Sequence, residues 1–522
     1  MPANKVSKST INDELTQKVI SLCQRRAILF PNSDIYGSAA GFFDYGPYGC
    51  ELKKRIESSW WKTFVQSRED VVGIDGSIIT SPRVWVASGH VAGFNDPLVD
   101  CQKCKTRHRA DHLVEEELKI SVDGFSLDKL SGLITEHKIA CQKCGGELSV
   151  ARKFSLMFST HVGAVADESS IAYLRPETAQ LMFADFKIVQ QAMRKKLPFG
   201  IAQIGKSFRN EIAPRNFVFR CREFSQMEIE FFIHPKLVNS CPLLAKELLS
   251  KKVQLITATE QDKGKDGKME SMTIGDALKN NVVKTQWHAY WLITCMEWLY
   301  SLGINPANLR FREHVKTELS FYSVETWDIE YKYPWGWKEL QGIANRTDYD
   351  LSQHQKESGK DLTYFDEENR ERVIPHVIEP SIGVDRVFFT VLLDAFRENA
   401  SDKGSTSTLA LHPDIAPVQV AIFPLMKKDG LAEKGRAVFE MLRNEFVCEY
   451  DESGSIGKRY ARQDEVGTPF CITVDYESME KDDVTIRERD SGNQKRVPIS
   501  KLKEIIECSF GEYCALERPQ HK

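Results

Sequence analysis

Residues 219–233 alternate between two opposite characters, and that alternation restricts the chain more than any other stretch. On a strand, alternate side chains share a face. Arg220, Arg222, Phe224, Gln226, Glu228 and Glu230 then lie on one face, and Cys221, Glu223, Ser225, Met227, Ile229 and Phe231 on the other. Residues 201–212 read as the partner strand, with Arg209 and Glu211 sharing a face and Phe208 and Ile212 opposite; residues 213–218 join the two. Such a charged face suits a solvated edge hairpin with cross-strand ion pairs. The second half of the opposite face is fully apolar, however, which argues for a hairpin packed on one side. The charged side then suits a nucleoside triphosphate. Arginine forks fit phosphate oxygens, an aromatic stacks on the base, and a carboxylate meets a base amino group.

At 522 residues the chain exceeds one ordinary core, so two to four domains are expected. Apolar content of 42% and charged content of 28% are those of a globular protein. A net charge of −4 excludes nucleic-acid binding by bulk charge but leaves room for a local basic groove. The longest apolar runs, such as Val418 to Met426, are too short to span a bilayer. The first residues lack the apolar core of a signal peptide and read as a frayed tail on a cytoplasmic protein. Thirteen cysteines, most of them single and in apolar context like Cys295, Cys448 and Cys471, fit a reducing compartment.

Apolar periodicity predicts helices over 13–29, 49–66 and 384–400. Residues 101–145 and 234–300 read as insertions, and the polar run 260–269 as a mobile loop. Ser401 to Thr408, small and polar, reads as a linker. Beyond it, buried strands at 418–423 and 470–474 flank an amphipathic helix over 430–445, the pattern of a compact α/β domain.

The hairpin sequence Phe208-Arg-Asn-Glu-Ile-Ala-Pro-Arg-Asn-Phe-Val-Phe-Arg-Cys-Arg-Glu-Phe-Ser-Gln-Met-Glu-Ile-Glu-Phe231 resembles motif 2 of class II glycyl-tRNA synthetases of the homodimeric type. The resemblance continues, in family order, through Gly41-Phe-Phe-Asp-Tyr-Gly-Pro47, Ala87-Ser-Gly-His-Val91 and Tyr173-Leu-Arg-Pro-Glu-Thr-Ala-Gln180. It extends to Glu339-Leu-Gln-Gly-Ile-Ala344, Arg346-Thr-Asp-Tyr-Asp-Leu351 and Val377-Ile-Glu-Pro-Ser-Ile-Gly-Val-Asp-Arg386. Leu181 and Phe217 depart from the usual smaller residues, but neither removes a polar group. The resemblance implies an α+β fold. An antiparallel class II catalytic sheet of six to eight strands would occupy residues 1–100 and 146–400, with an α/β anticodon-binding domain at 409–522. Motif 1 falls at about 41–82, motif 2 at about 201–233 and motif 3 at about 374–397.

The implied activity is glycine–tRNA ligation: glycine and ATP form glycyl-adenylate, and tRNA(Gly) accepts the glycyl group. By the same match, Arg209 grips the α-phosphate, Glu211 meets the adenine amino group, Phe224 stacks on adenine, and Arg220 and Arg386 reach the outer phosphates. Asn210, Phe219, Cys221, Arg222, Glu223 and Leu340 complete the implied ATP site. Glu339 and Glu379 are the implied Mg²⁺ carboxylates. Glu177, Glu228, Glu379 and Ser381 surround the glycine ammonium, and Arg109 is a carboxylate or entry-side contact. Glycine is the smallest substrate, so a filled pocket rejects the others and no editing domain is demanded. The competing readings are a non-catalytic accessory subunit of this fold and a ligase for another small amino acid.

Cys101-Gln-Lys-Cys104 and Cys141-Gln-Lys-Cys144 form two C-x₂-C knuckles. Two readings stand: a structural Cys₄ zinc site, or a metal-free vestigial insertion. Segments 457–469 and 485–491 resemble anticodon-reading elements, in which basic residues and Tyr460 suit phosphates and unpaired bases.

Overall fold

The computed structural model describes residues 14–120, 122, 124–263, 267–320, 322–401 and 404–516. The expected N-terminal tail and part of the polar run 260–269 lie outside them. Helix α1 (Glu14–Arg25) leads to α2 (Pro47–Trp61), whose first-turn proline needs no N–H partner. Nine strands form the main sheet: β1 (Val71–Gly73), β2 (Phe199–Phe208), β3 (Glu223–Ile233), β4 (Lys252–Ile256), β5 (Glu270–Thr273), β6 (Leu309–Glu313), β7 (Glu325–Tyr333), β8 (Gly336–Thr347) and β9 (His376–Gly383). Their spatial order is β5-β4-β6-β7-β8-β9-β3-β2-β1. Every neighbouring pair is antiparallel except β1 with β2 and β4 with β6. The sheet therefore has one strand more than expected, with parallel pairs only toward its flanks.

The apolar alternation of β3 fixes which side is core. Met227, Ile229 and Phe231 point to the back, where the Phe231 ring lies tilted 5.0 Å from Trp287 and edge-on 5.1 Å from Trp291. Those tryptophans belong to α4 (Gln286–Ser301), a helix apolar on all sides and accordingly buried; α3 (Ala179–Ala184) precedes it in the chain. Phe64, just after α2, packs on Trp291 and Trp298 from the same side. Residues 234–300, expected as an insertion, thus add β4 and β5 to the sheet edge and α4 to its back.

Two helices close the site end: α5 (Tyr349–Ser358) and α6 (Val384–Ala395). Helix α6 stops five residues before the expected 400 because the chain extends at Phe396 into a hairpin of Phe396–Ser401 with Gly404–Leu409. The expected linker lies in that hairpin, its residues 402 and 403 outside the described ones. The first-turn acid of α6, Asp385, joins three motifs. It accepts the Tyr45 hydroxyl at 2.6 Å and the Ser225 N–H at 2.7 Å, and it is buried.

Beyond the hairpin a five-stranded mixed sheet forms, in the spatial order Cys448–Tyr450, Val420–Pro424, Phe470–Val474, Asp483–Glu488, Gln494–Pro498. Its core includes Val420, Ile422, Leu431, Ile472 and Val484. Arg25 with Glu465 (2.8 Å) and Tyr48 with Glu449 (2.8 Å) tie it to the first two helices.

Asp385→Ala strands a buried N–H and a buried hydroxyl, at a cost of about 3 kcal/mol. Urea unfolding followed by tryptophan fluorescence is expected to show that loss, and Asp385→Asn, which keeps one acceptor, a smaller one.

Candidate active site

The front face of the sheet carries the polar half of the alternation: Phe224, Gln226, Glu228 and Glu230 from β3, opposite Ser207, Gly205, Gln203 and Ile201 of β2. Gly205 is required, because a Cβ there would sit 2.1 Å from Nη2 of Arg175, which crosses the strand to reach the Lys206 and Gly76 carbonyls at 2.7 Å each. On the other side β9 sets Ser381 opposite Glu228.

Glu228 is buried at the centre. Its Oε1 accepts the Ser381 hydroxyl at 2.6 Å and the Gln226 amide at 3.0 Å, and its Oε2 accepts the Thr178 N–H at 2.9 Å and the Thr178 hydroxyl. Burial and the nearby Glu177 push its carboxyl up, against those donors. Burial opposes the charge of Glu177 as well, but His90, Arg346 and Gln180 hold it well below the ordinary carboxylate range. His90 Nε2 lies 3.3 Å from Glu177, and Ser88 fixes the other ring nitrogen at 2.8 Å.

Arg346, at the end of β8, is the buried countercharge. It binds Asp350 through two nitrogens at 2.7 Å each and Glu379 at 2.8 Å. Burial, with Glu228 and Glu177 adding to it, still pushes Glu379 up to about 8. The structure thus brings Glu177, Glu228, Glu379 and Ser381 into one pocket.

The other end of the face carries arginines. Arg209 lies with its guanidinium 5.4 Å from both the Phe224 and Phe94 rings and donates to the Pro176 carbonyl at 3.0 Å. Glu211 and Arg220 pair at 2.7 Å. Arg386, in the first turn of α6, lies over the Phe219 ring at 4.7 Å and 3.0 Å from Glu339, which it holds below its ordinary range.

Several expected placements change. The second strand begins at Glu223, not 219, because Asn216 and Phe217 take left-handed conformations and Phe217–Phe219 forms a tight turn. Arg220 and Arg222 therefore leave the alternation, and Arg222 is spent on the Glu211 and Ala40 carbonyls. Cys221 and Leu340 are core side chains, Glu223 pairs with Lys206 at 2.9 Å, and the Asn210 N–H goes to the Leu156 carbonyl. Arg109, the expected carboxylate or entry-side contact, is ion-paired. Asp96 (2.9 Å) and Asp111 (2.5 Å) hold it, and the charge of Glu211 acts on it as well. Glu339 and Glu379, the expected Mg²⁺ carboxylates, have separate ion-pair partners, Arg386 and Arg346. Glu379 is taken up by Arg346, and the acid that interacts with Glu339 is Asp328, pushed up to about 6 by burial and by Glu339 against its bond to His314.

His90, Thr178, Arg346 and Asp350 lie within the sequence motifs, yet the motifs alone assign them no role. The four-residue spacing of Arg346 and Asp350 is the available signal for an ion pair at the start of a helix. In the C-terminal unit, Tyr460 is engaged by Thr473 at 2.6 Å, while Arg459 and Arg489 are buried on backbone carbonyls.

The four knuckle cysteines converge, with Sγ–Sγ distances of 3.5 Å (Cys101–Cys144) and 3.6 Å (Cys104–Cys141). Both knuckles close alike, with Lys105 and Gly145 left-handed and their N–H groups on the Cys101 and Cys141 carbonyls.

Residues 419–509 match the family model described as an anticodon-binding domain. A solved prolyl-tRNA synthetase from Cryptosporidium parvum, complexed with halofuginone and AMPPNP, superposes with a TM-score of 0.58. That match covers 98% of this chain and 80% of that one at 15% identity, a likeness of fold. The chain is 47% identical over 498 residues to a glycine–tRNA ligase of Geobacillus thermodenitrificans, covering 94% of this chain and 97% of that one. A glycine–tRNA ligase of Acetivibrio thermocellus is also 47% identical, over 95% and 98% of the two chains. Identity of that order along nearly the whole of both sequences, on a class II synthetase sheet with its anticodon-binding domain, places the chain in the glycine–tRNA ligase family.

Proposed function

We propose that the chain activates glycine with ATP and transfers it to tRNA(Gly), and that the front face of the sheet divides this work along β3. The observation that carries the reading is the buried Glu228, held by Thr178, Gln226 and Ser381 in an acidic pocket next to an arginine-lined edge. An amino acid without a side chain offers only its ammonium and carboxylate. Glu228, Glu177 and Glu379 attract the ammonium, and Ser381 fixes Glu228 at the floor.

ATP takes the other end. Phe224 offers a face for adenine, Glu211 an acceptor for its amino group, and Arg209 a guanidinium for the α-phosphate. Arg220 and Arg386 reach the outer phosphates of ATP, and Glu339 and Glu379 would hold its Mg²⁺, which would offset charge on the phosphate oxygens. Attack of the glycine carboxylate on the α-phosphorus forms the adenylate and expels pyrophosphate. The attack needs aligned reactants and fixed positive charge rather than a protein nucleophile. The tRNA terminal ribose then takes the glycyl group.

Domain limits belong to the same reading: a catalytic core at 1–100 and 146–400, insertions at 101–145 and 234–300, and an anticodon-binding unit at 409–522. So do dimerisation through residues 41–82 and a place in the cytoplasm. Among the described residues no helix is long and apolar enough to cross a membrane.

The four cysteines fit a structural zinc ion. A tetrahedron with bonds of ~2.3 Å has edges of ~3.8 Å, close to the observed sulfur spacings and far from the ~2.05 Å of a disulfide. A Cβ at Gly146 would lie 3.0 Å from Cys101 Sγ and 3.2 Å from Cys144 Sγ, so only glycine leaves that side open. Four thiolates would hold the metal without an open position, anchoring the small core of Val99, Leu113, Leu130 and Ile139.

ATP–pyrophosphate exchange with glycine, alanine and serine tests the function: exchange with glycine is expected, and preference for alanine or serine overturns the reading. Glu228→Gln is expected to lower kcat/KM for glycine by about 10- to 100-fold, the loss of one charged contact, with ATP affinity nearly kept. Equal loss of both would remove Glu228 from the glycine pocket. The chain as purified is expected to carry one zinc per chain by elemental analysis, reduced in Cys104→Ser.

A further inference from the structure

The cysteine-rich insertion reaches the ATP end of the sheet, and the steps of ligation give that contact no task. Residues Asn95–Asp100, Arg107–Arg109 and Arg152–Ser155 form a three-stranded sheet with Asn95–Asp100 in the middle, and its first two strands flank the first knuckle. The far end of this sheet touches motif 2. The Leu156 carbonyl accepts the Asn210 N–H at 2.8 Å, and the Leu156 N–H goes to the Phe94 carbonyl at 3.1 Å. The Phe94 ring lies 5.4 Å from the Arg209 guanidinium. Asp96, two residues on from Phe94 and opposite Phe154, stands where the charges of Arg220 and Glu211 act on it.

The charges there alternate across the two units. Asp111 binds Arg109 at 2.5 Å, Arg109 meets Asp96 at 2.9 Å, Asp96 lies within the pull of Arg220, and Arg220 binds Glu211 at 2.7 Å. Nε and Nη2 of Arg109 are taken by Asp111, which leaves Nη1 for Asp96. A planar fork can be divided in this way between two acids. Asp96 is 8% exposed, and its Oδ2 has no hydrogen-bond donor among the described residues, because Nη1 approaches it out of alignment. A buried carboxylate between two guanidinia, with an oxygen unspent, turns to whichever cation is offered. His112, on the helix Ala110–Leu118, is pushed down to about 3 by burial and by Arg109, with Arg215 and Arg220 adding to it against Asp111. Its ring is therefore uncharged and supplies no other cation for Asp96.

We propose that Arg109 is a positioning residue of the ATP end: by holding Asp96 it keeps that carboxylate off Arg220, so that Arg220 has only Glu211 to give up when it meets the outer phosphates. This rests on the ATP site proposed above and adds what keeps its outer arginine available. Without Arg109, Asp96 and Glu211 both claim Arg220, and the phosphates must draw it from two carboxylates. Arg109 thus acts on ATP through Asp96 and touches no substrate. A direct contact with the glycine carboxylate, the other task open to Arg109, would move the KM for glycine instead.

Calorimetric titration of the full chain with ATP, and separately with AMP, which lacks the outer phosphates, tests this without glycine present. Arg109→Met is expected to raise the ATP Kd about tenfold, the lower end for one hydrogen bond to a charged group, and to leave the AMP Kd unmoved. The double variant Asp96→Asn/Arg109→Met is expected to return the ATP Kd to within about threefold of wild type. Asp96→Asn alone removes the competitor and is expected to bind ATP at least as tightly as wild type. In ATP–pyrophosphate exchange the KM for glycine is expected to stay unchanged in Arg109→Met. Parallel loss of AMP and ATP binding, the mark of a merely structural role, overturns the proposal. So does an unrestored ATP Kd in the double variant, weaker ATP binding by a folded Asp96→Asn, or a rise in glycine KM with the ATP Kd kept. Should Arg109→Met fail to fold, the double variant and Asp96→Asn decide, since neither leaves Asp96 as a competing anion. Wild-type chain that binds ATP but exchanges nothing with glycine would sink the glycine reading alone. Wild-type chain that binds no ATP would overturn the ATP site and this inference with it.

Discussion

The guanidinium of Arg346 is 1% exposed and spans Asp350 and Glu379, and the pocket around it is assembled against electrostatic preference. Glu177, Glu228, Glu230, Asp350 and Glu379 all face one buried region, where like charges repel through a poorly screening medium. Burying one cation among them costs desolvation. Its planar fork repays that cost by binding two carboxylates at once, which an ammonium could not do with the same geometry. Removing it would leave several acids without a partner, the situation in which a buried charge is most damaging. The fold supplies the position through the end of β8 and the first turn of α5, which set Arg346 and Asp350 four residues apart.

The surplus of carboxyl groups also gives the pocket an electrostatic preference for a cation. A site with balanced charges would have little to gain from an ammonium ion. Here the deficit is met in part by donors, since Glu228 accepts from Thr178, Ser381 and Gln226, and in part by His90 beside Glu177. At the arginine end the imbalance has the opposite sign. Arg386 opens a helix, where the backbone already presents positive potential, and Glu339 at 3.0 Å offsets that. The two ends of one sheet face therefore prefer ligands of opposite charge.

The alternation of residues 224–233 makes β3, its polar face and its core side legible in the sequence, because a period of two has only two solutions once one face is apolar. The buried strands of the C-terminal unit are legible for a related reason, as short apolar runs bounded by turns. The start of β3 is not: the left-handed Asn216 and Phe217 break the alternation without a glycine to announce it. Helix α6 ends early because an extended Phe396 follows an apolar run that periodicity alone would continue. Arg109 looks available in the sequence because nothing there reveals that Asp96 reaches it from a separate strand, beside Asp111 two residues on. Which carboxylate pairs with which guanidinium depends on register across strands, and that information is not local.

Register is also what gives the site its length. A strand rises about 3.3 Å per residue, so the four steps from Phe224 to Glu228 span roughly 13 Å on one face. On the proposed reading, adenine, ribose, phosphate and aminoacyl group of an adenylate would follow one another along that span, from the Phe224 ring to the Glu228 carboxylate. Ser381 on β9 and Gln203 on β2 flank Glu228 from both sides, so its place is fixed by two neighbouring strands. A slip of one residue would turn Met227 and Ile229 toward the ligand and bury the carboxylates against the tryptophans of α4. The apolar core on the back of the sheet therefore specifies which side chains stand on the front, because the packing that forbids the slip also sets the spacing between Phe224 and Glu228.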